Sequence, residues 1–288
     1  MEPTRPAGCL AHVRYWAWLA GRLISRPLGG WKPLPTPGGT PVSKPSSPKP
    51  PLDWRYRTVT TLAKDWKSPY TGILHKAGAP VSLTTFVKHA GRELPIGDPS
   101  APALFLDAAW DSYQRSVRLH PFRTGAKTAK GVDPSRLVYD YLEAIMSAIL
   151  FAFTAIEAFA NEEIPDNYQY PSKRRSGIFV VFKKPSIERH VDLDEKLGTI
   201  LPAVKNLPSP KGTKAWHEYV ELKRIRNRLV HMKSSDRTTS KHGNLYPDSI
   251  WSRLLDPKQP NYPLIAKTVI AIFADVQETH WLTYCPVK

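Results

Sequence analysis

The chain has 288 residues, 41% of them hydrophobic and 23% charged, a balance that supports a packed core and excludes disorder throughout. No run of about 18 uncharged apolar residues occurs, so no transmembrane helix or stable membrane insertion is expected. Two cysteines, Cys9 and Cys285, exclude a disulfide framework and a four-cysteine zinc site, and fit a reducing cytoplasmic setting. The 41 basic against 25 acidic residues give a net charge of +16, which suggests a polyanionic partner.

Half of that excess lies in residues 1–70, where 11 Lys/Arg face 3 Asp/Glu. Eleven of the 29 prolines fall between Pro3 and Pro51. Residues 1–53 therefore read as a basic, disordered Pro-rich tail with no core of its own. Leu10–Leu19 is apolar but interrupted by His12 and Arg14, which fits a short amphipathic surface helix better than a secretory signal.

Residues 54–130 read as an accessory, mostly helical region. Pro80–Ile96 is ambiguous between strand and helix: Thr84, Thr85 and Val87 favour a strand, whereas Phe86, His89 and Ala90 fit a helix. Ser100–Leu119 predicts a helix capped by Ser100 and stopped at Pro121. Thr124–Asp133 is a basic loop.

Residues 131–288 carry the strongest periodicity. Ser135–Ile164 predicts a helix that is apolar almost all round, as a central core helix or an oligomer contact would be. Asn167–Ser176 reads as a polar loop carrying Lys173, Arg174 and Arg175. Ile178–Phe182 is a short apolar run, either a strand or a packed loop. Helices are expected over Leu193–Lys205, Thr213–Met232 and Pro263–Tyr284, with a polar loop over Ser234–Pro247. The fold class expected from this pattern is all-α. Asp192, Asp194 and Glu195 form half of a divalent-metal pattern, but capping and the helix dipole explain acids at a helix start.

No Gly-rich phosphate loop, zinc-ligand spacing or nucleophile elbow occurs, so neither metal nor cofactor is expected. One helix carries a sharper pattern, Arg226-Asn227-Arg228-Leu229-Val230-His231. An Arg four residues short of a His also occurs at Arg115/His120 and Arg237/His242, so the spacing alone means little. Only the Arg226 copy lies inside an expected helix with an amide directly after the Arg. Asn227 and His231 are four apart and share a face. Arg226 lies about 140° around the helix from His231 and reaches the same place only through its long side chain. As a plain surface reading, basic residues near a helix C-terminus simply suit the dipole.

This segment resembles the Arg-x4-6-His signature of the HEPN superfamily, including the polar residue after the Arg. Ile156-Glu157-Ala158-Phe159-Ala160-Asn161-Glu162 is similar to a helix upstream of that signature. Asp194-Glu195-Lys196-Leu197 with Ile200-Leu201-Pro202 is similar to the helix between them. The resemblance spans about 131–284; residues 1–130 have no counterpart in it. It implies a HEPN-like helical bundle with an N-terminal helical or mixed extension, and a homodimer whose two chains share a cleft. It further implies metal-independent endoribonuclease activity, with RNA as substrate and an antitoxin or regulator protein as a further partner. The role of toxin or antiviral defence effector follows from family analogy alone. Arg226 would bind the scissile phosphate, His231 would be the general acid/base, Asn227 would orient the phosphate or the His, and Lys173, Arg174 and Arg175 would contact the RNA. Glu157, Asn161 and Arg228 would support the site, with Glu157 pairing with Arg226 or Arg228. The alternative is a non-catalytic RNA- or nucleotide-binding or dimerisation module.

Overall fold

Helix α2, Pro134–Glu162, organises the structure, here a computed structural model. It describes residues 53–57, 60–68, 72–81, 84–122, 133–173, 179–237, 246–275 and 280–288. These belong to one compact unit, 50–288. The expected Pro-rich tail, its apolar segment and most of the 124–133 loop lie outside the described residues.

Asp133 caps α2 by accepting the Ser135 N–H at 2.9 Å, and Pro134 fills the first turn, where its missing N–H costs nothing. Tyr141, Ile145, Ala148, Ile149, Ala152, Ile156 and Phe159 are buried along it. Around it pack α1 (Ala101–Leu119), α5 (Lys214–Val230) and α7 (Tyr262–Phe273). Ala103, Leu106 and Ala109 line the buried side of α1, and the small residues let two helix backbones approach closely. Among the described residues, Ser135–Glu162 is the one helix long and apolar enough to cross a bilayer, contrary to the expectation from composition. Half of its most apolar stretch is buried inside the fold.

The expectation of an all-α fold is corrected. Among the described residues, four two-stranded antiparallel sheets accompany the helices, so the class is mixed helix and strand. Three fall in the region expected to be mostly helical. Strand β1 (Thr60–Thr61) pairs with β4 (Pro80–Val81), β2 (Trp66–Lys67) with β3 (Leu74–His75), and β5 (Thr84–His89) with β6 (Arg92–Gly97). The β5–β6 hairpin turns on Ala90 and Gly91, both at positive φ (48° and 75°), the geometry that matches strand twist in a two-residue loop. Phe86, Val87 and Leu94 stay exposed on it.

The fourth pair is β7 (Gln169–Lys173) with β8 (Phe179–Lys183), in register Tyr170↔Phe182 and Pro171↔Val181. The segment read as a polar loop is thus partly a strand. Pro171 is tolerated because each strand of a two-stranded sheet is an edge. Then follow α3 (Lys184–His190) and α4, a continuous helical stretch over 193–205. Its middle, Lys196–Ile200, is a π turn. Short α6 (Ile250–Leu254) precedes α7, and α8 (His280–Tyr284) closes the chain. The single expected last helix is therefore two, with Ala274 already extended.

Candidate functional site

Helix α5 begins at Thr213, whose hydroxyl accepts the Trp216 N–H at 3.2 Å. Tyr219, Leu222, Ile225 and Leu229 form its buried stripe. That stripe leaves Arg226, Asn227 and Arg228 half-buried at its flanks. His231 is the C-cap, with φ −113° and ψ 52°, and its N–H donates to the Asn227 carbonyl at 2.9 Å. The His231 ring is exposed, beyond the last helical turn.

Arg226 and Asn227 are brought together. Arg226 Nη1 donates to Asn227 Oδ1 at 3.0 Å. The guanidinium carbon lies 4.8 Å from the centroid of the Phe153 ring on α2, within cation–π range. Phe153 is itself stacked on Tyr219, with centroids 6.3 Å apart and planes at 12°.

Arg228 turns elsewhere. Its Nη2 donates to Asp236 Oδ1 at 2.6 Å and to the Asp248 carbonyl. Asp236 is buried and also accepts the N–H groups of Lys233 (3.2 Å) and Ile250 (3.0 Å). The Arg228 hydrogen bond holds its carboxyl below the usual carboxylate range, against the opposing effect of burial. Arg228 thus ties the end of α5 to the turn Ser234–Arg237 and to the start of α6.

Glu157 and Asn161 lie one turn apart on α2, beyond Phe153 on the same face. They face a residue that pattern reading passed over, Lys196. Its Nζ donates to Asn161 Oδ1 at 2.9 Å and to the Glu188 carbonyl at 3.0 Å, and the side chain is 1% exposed. Burial pushes its ammonium below the ordinary lysine range, while the charges of Glu157, Glu188 and Asp192 pull it back up. The available signal was a lysine set in the apolar run Leu193, Leu197, Ile200, Leu201. Glu157 acts on Lys196 and Tyr219. The expected partners of Glu157 are engaged elsewhere, Arg226 with Asn227 and Arg228 with Asp236.

The acids at the start of α4 do not cap it; Asp192 makes no side-chain cap bond. Asp194 Oδ1 accepts the Tyr219 hydroxyl at 2.6 Å, and Oδ2 accepts Lys223 Nζ at 2.7 Å. Burial works to raise the Asp194 carboxyl, but the Lys223 and Tyr219 hydrogen bonds prevail and hold it low. Burial, then the Asp194 bond, pushes the Tyr219 phenol far above its ordinary range, so it stays a donor. Glu195 Oε1 accepts the Tyr170 hydroxyl at 2.5 Å, which ties β7 to α4.

The remaining candidates fall apart from this cluster. Lys173 ends β7 with its side chain outside the described residues, as Arg174 and Arg175 are entirely. Arg115 pairs with Asp140 at 3.8 Å, and His120 sits edge-on to Tyr141, with centroids 4.9 Å apart. His242 lies outside the described residues. Among the described residues, no group of three His, Cys, Asp or Glu side chains is placed to hold a metal ion.

At the end of α5, then, stand a half-buried arginine with N–H donors to spare and an exposed imidazole. A guanidinium binds phosphate oxygens through its edge, and an imidazole exchanges protons near neutral pH. No family model, curated protein or solved structure matches this chain. The HEPN resemblance rests on its three segments alone.

Proposed function

We propose that the chain is a HEPN-type endoribonuclease that cuts RNA without a metal ion, acts as a homodimer and works in the cytoplasm. The observation that supports this most is the Arg226–Asn227 hydrogen bond, with the exposed His231 four residues after Asn227 at the C-cap of the same helix.

In this reading the RNA 2′-hydroxyl attacks the adjacent phosphorus. His231 removes its proton, and the imidazole of the second chain protonates the leaving 5′-oxygen. Imidazole, with an ordinary pKa of about 6.5, suits both roles at neutral pH. Arg226 offers its N–H edge to the phosphate oxygens, where negative charge grows in the transition state. Asn227 orients Arg226, the partner to which it is hydrogen-bonded. Arg228 has no place in the chemistry; it holds the helix end that carries His231. An antitoxin or regulator protein would be the natural second partner.

The test is incubation of labelled RNA with wild type, Arg226→Ala and His231→Ala in EDTA. Wild type cuts, and each variant loses at least about a hundredfold in rate. Magnesium-dependent cutting, or cutting that survives His231→Ala, overturns the proposal. RNA left intact but bound by wild type, with affinity falling steeply as salt rises, marks a binding module instead.

A further inference from the structure

The proposed chemistry asks for one arginine at a fixed angle, and arginine is a side chain with many rotamers. An arginine near a helix end loses much of its rotamer freedom when it is fixed. Something in the fold must hold it. A relay of three side chains that starts at Arg226 does this: Phe153 touches the guanidinium, Tyr219 stacks on Phe153, and Asp194 holds Tyr219.

The first is Phe153, 5% exposed, with the guanidinium 4.8 Å from its ring centroid. A buried phenyl on the central helix cannot swing aside. The second is Tyr219, fully buried, stacked on Phe153 at 12° between planes. The third is Asp194, which accepts the Tyr219 hydroxyl at 2.6 Å and is itself held by Lys223 at 2.7 Å. Lys223 lies one turn after Tyr219 and just under one turn before Arg226. The network therefore begins and ends on α5 and passes through α4 and α2.

We infer that Phe153, Tyr219 and Asp194 are positioning residues for Arg226, forming an aromatic platform that presents its guanidinium edge to a phosphodiester. The inference rests on the function proposed above and adds residues that the Arg-x4-His pattern does not contain. Its physical basis is the division of the guanidinium into faces and edges. The Phe153 ring lies under the guanidinium carbon, Asn227 takes one N–H of Nη1, and four of the five N–H donors remain for an anion. Anions bind at that edge, bidentately and in the guanidinium plane. A donor held before the reaction does not have to reorganise during it.

The chain of contacts also assigns a task to Asp194 that capping does not. A carboxylate with one oxygen on a tyrosine and the other on a lysine fixes both side chains at once. Loss of the tyrosine hydroxyl frees the ring edge but leaves the stack. Loss of the Phe153 ring removes the stack itself. The two effects are therefore graded, with Phe153 above Tyr219.

The experiment combines kinetics with a spectroscopic mark of the stack. Phe153→Leu keeps apolar volume and removes the ring face; Tyr219→Phe keeps the ring and removes the hydroxyl. With RNA in EDTA, Phe153→Leu lowers kcat about tenfold with KM within about twofold, and Tyr219→Phe lowers it about threefold. In the NMR spectrum, the Arg226 Nε–H, assigned by its loss in Arg226→Lys, is shifted upfield by the ring. That shift collapses in Phe153→Leu and persists in Tyr219→Phe. Unchanged kcat and an unchanged Nε–H position in Phe153→Leu overturn the inference. If Phe153→Leu does not fold, Tyr219→Phe and Asp194→Asn decide: kcat equal to wild type in both overturns it. Should wild type cut no RNA, the enzyme reading fails, and the Nε–H shift still decides whether the platform holds Arg226.

Discussion

The buried apolar side chains among the described residues lie between Pro102 and Val287, while strands β1–β6 leave Trp66, Leu74, Phe86, Val87 and Leu94 exposed. The helical region is held by burial around α2. The strand region is held by short backbone ladders and turns, and an isolated pair of strands is marginally stable in water. The same chain thus contains a region whose sequence announces its structure and one whose sequence does not.

The contrast is broken or sharpened first in the core. Ile156→Ala removes a fully buried side chain from α2 and is expected to cost about 3–4 kcal/mol in urea unfolding. Leu94→Ala, on the exposed hairpin, is expected to cost less than about 0.5 kcal/mol. Equal losses at the two sites would end the distinction between the regions.

Asp236 comes next. Asp236→Ala leaves two backbone N–H groups without their acceptor and Arg228 with only the Asp248 carbonyl, for a loss of about 2–3 kcal/mol. The sign of its pH dependence follows from its lowered pKa. The contribution is full above the unfolded value of about 3.9 and disappears as pH falls through the lower folded value. Asp236→Asn should flatten the acid limb of stability against pH; an unchanged acid limb would show that the Arg228 pair contributes little.

How much of this was legible can be read residue by residue. The spacing of Leu222, Ile225 and Leu229 placed α5, and the apolar circumference of 137–159 placed α2, because both bury a periodic stripe in one core. Hairpin β5–β6 was ambiguous because its turn is Ala90-Gly91 rather than an Asn-Gly or Asp-Gly pair. Pro171 disguised β7. At the candidate site, Arg226 and Asn227 were legible as neighbours. The pairing of Arg228 with Asp236, and of Asn161 with Lys196, spans eight and thirty-five residues and leaves no local signal. Asp194 looked like a cap because acids at a helix start usually are; its tyrosine partner lies 25 residues on.

Lys196 gives a smaller effect of the same pH sense, but in the alkaline range. Its ammonium is harder to keep charged in the fold than in the unfolded chain. Stability should therefore rise as pH climbs from the lowered folded pKa toward the ordinary lysine value of about 10.4. Lys196→Met is expected to change neutral-pH stability by about 1 kcal/mol or less and to abolish that alkaline rise. A rise of the same size in the variant would assign it to another group. Smallest of all is Ala90→Gly. Relief of a positive φ should slow hydrogen exchange across β5–β6 by an amount worth about 0.5–1 kcal/mol, with global unfolding unchanged. A shift of the global transition instead would tie the hairpin to the core.

The central claim, that the end of α5 cuts RNA through its own 2′-hydroxyl, is tested most directly by the substrate. An oligoribonucleotide in EDTA is expected to be cut to products ending in a 2′,3′-cyclic phosphate. The same oligonucleotide bearing 2′-O-methyl groups throughout is expected to stay intact. Cutting of the methylated strand, or products without the cyclic end, would contradict the mechanism.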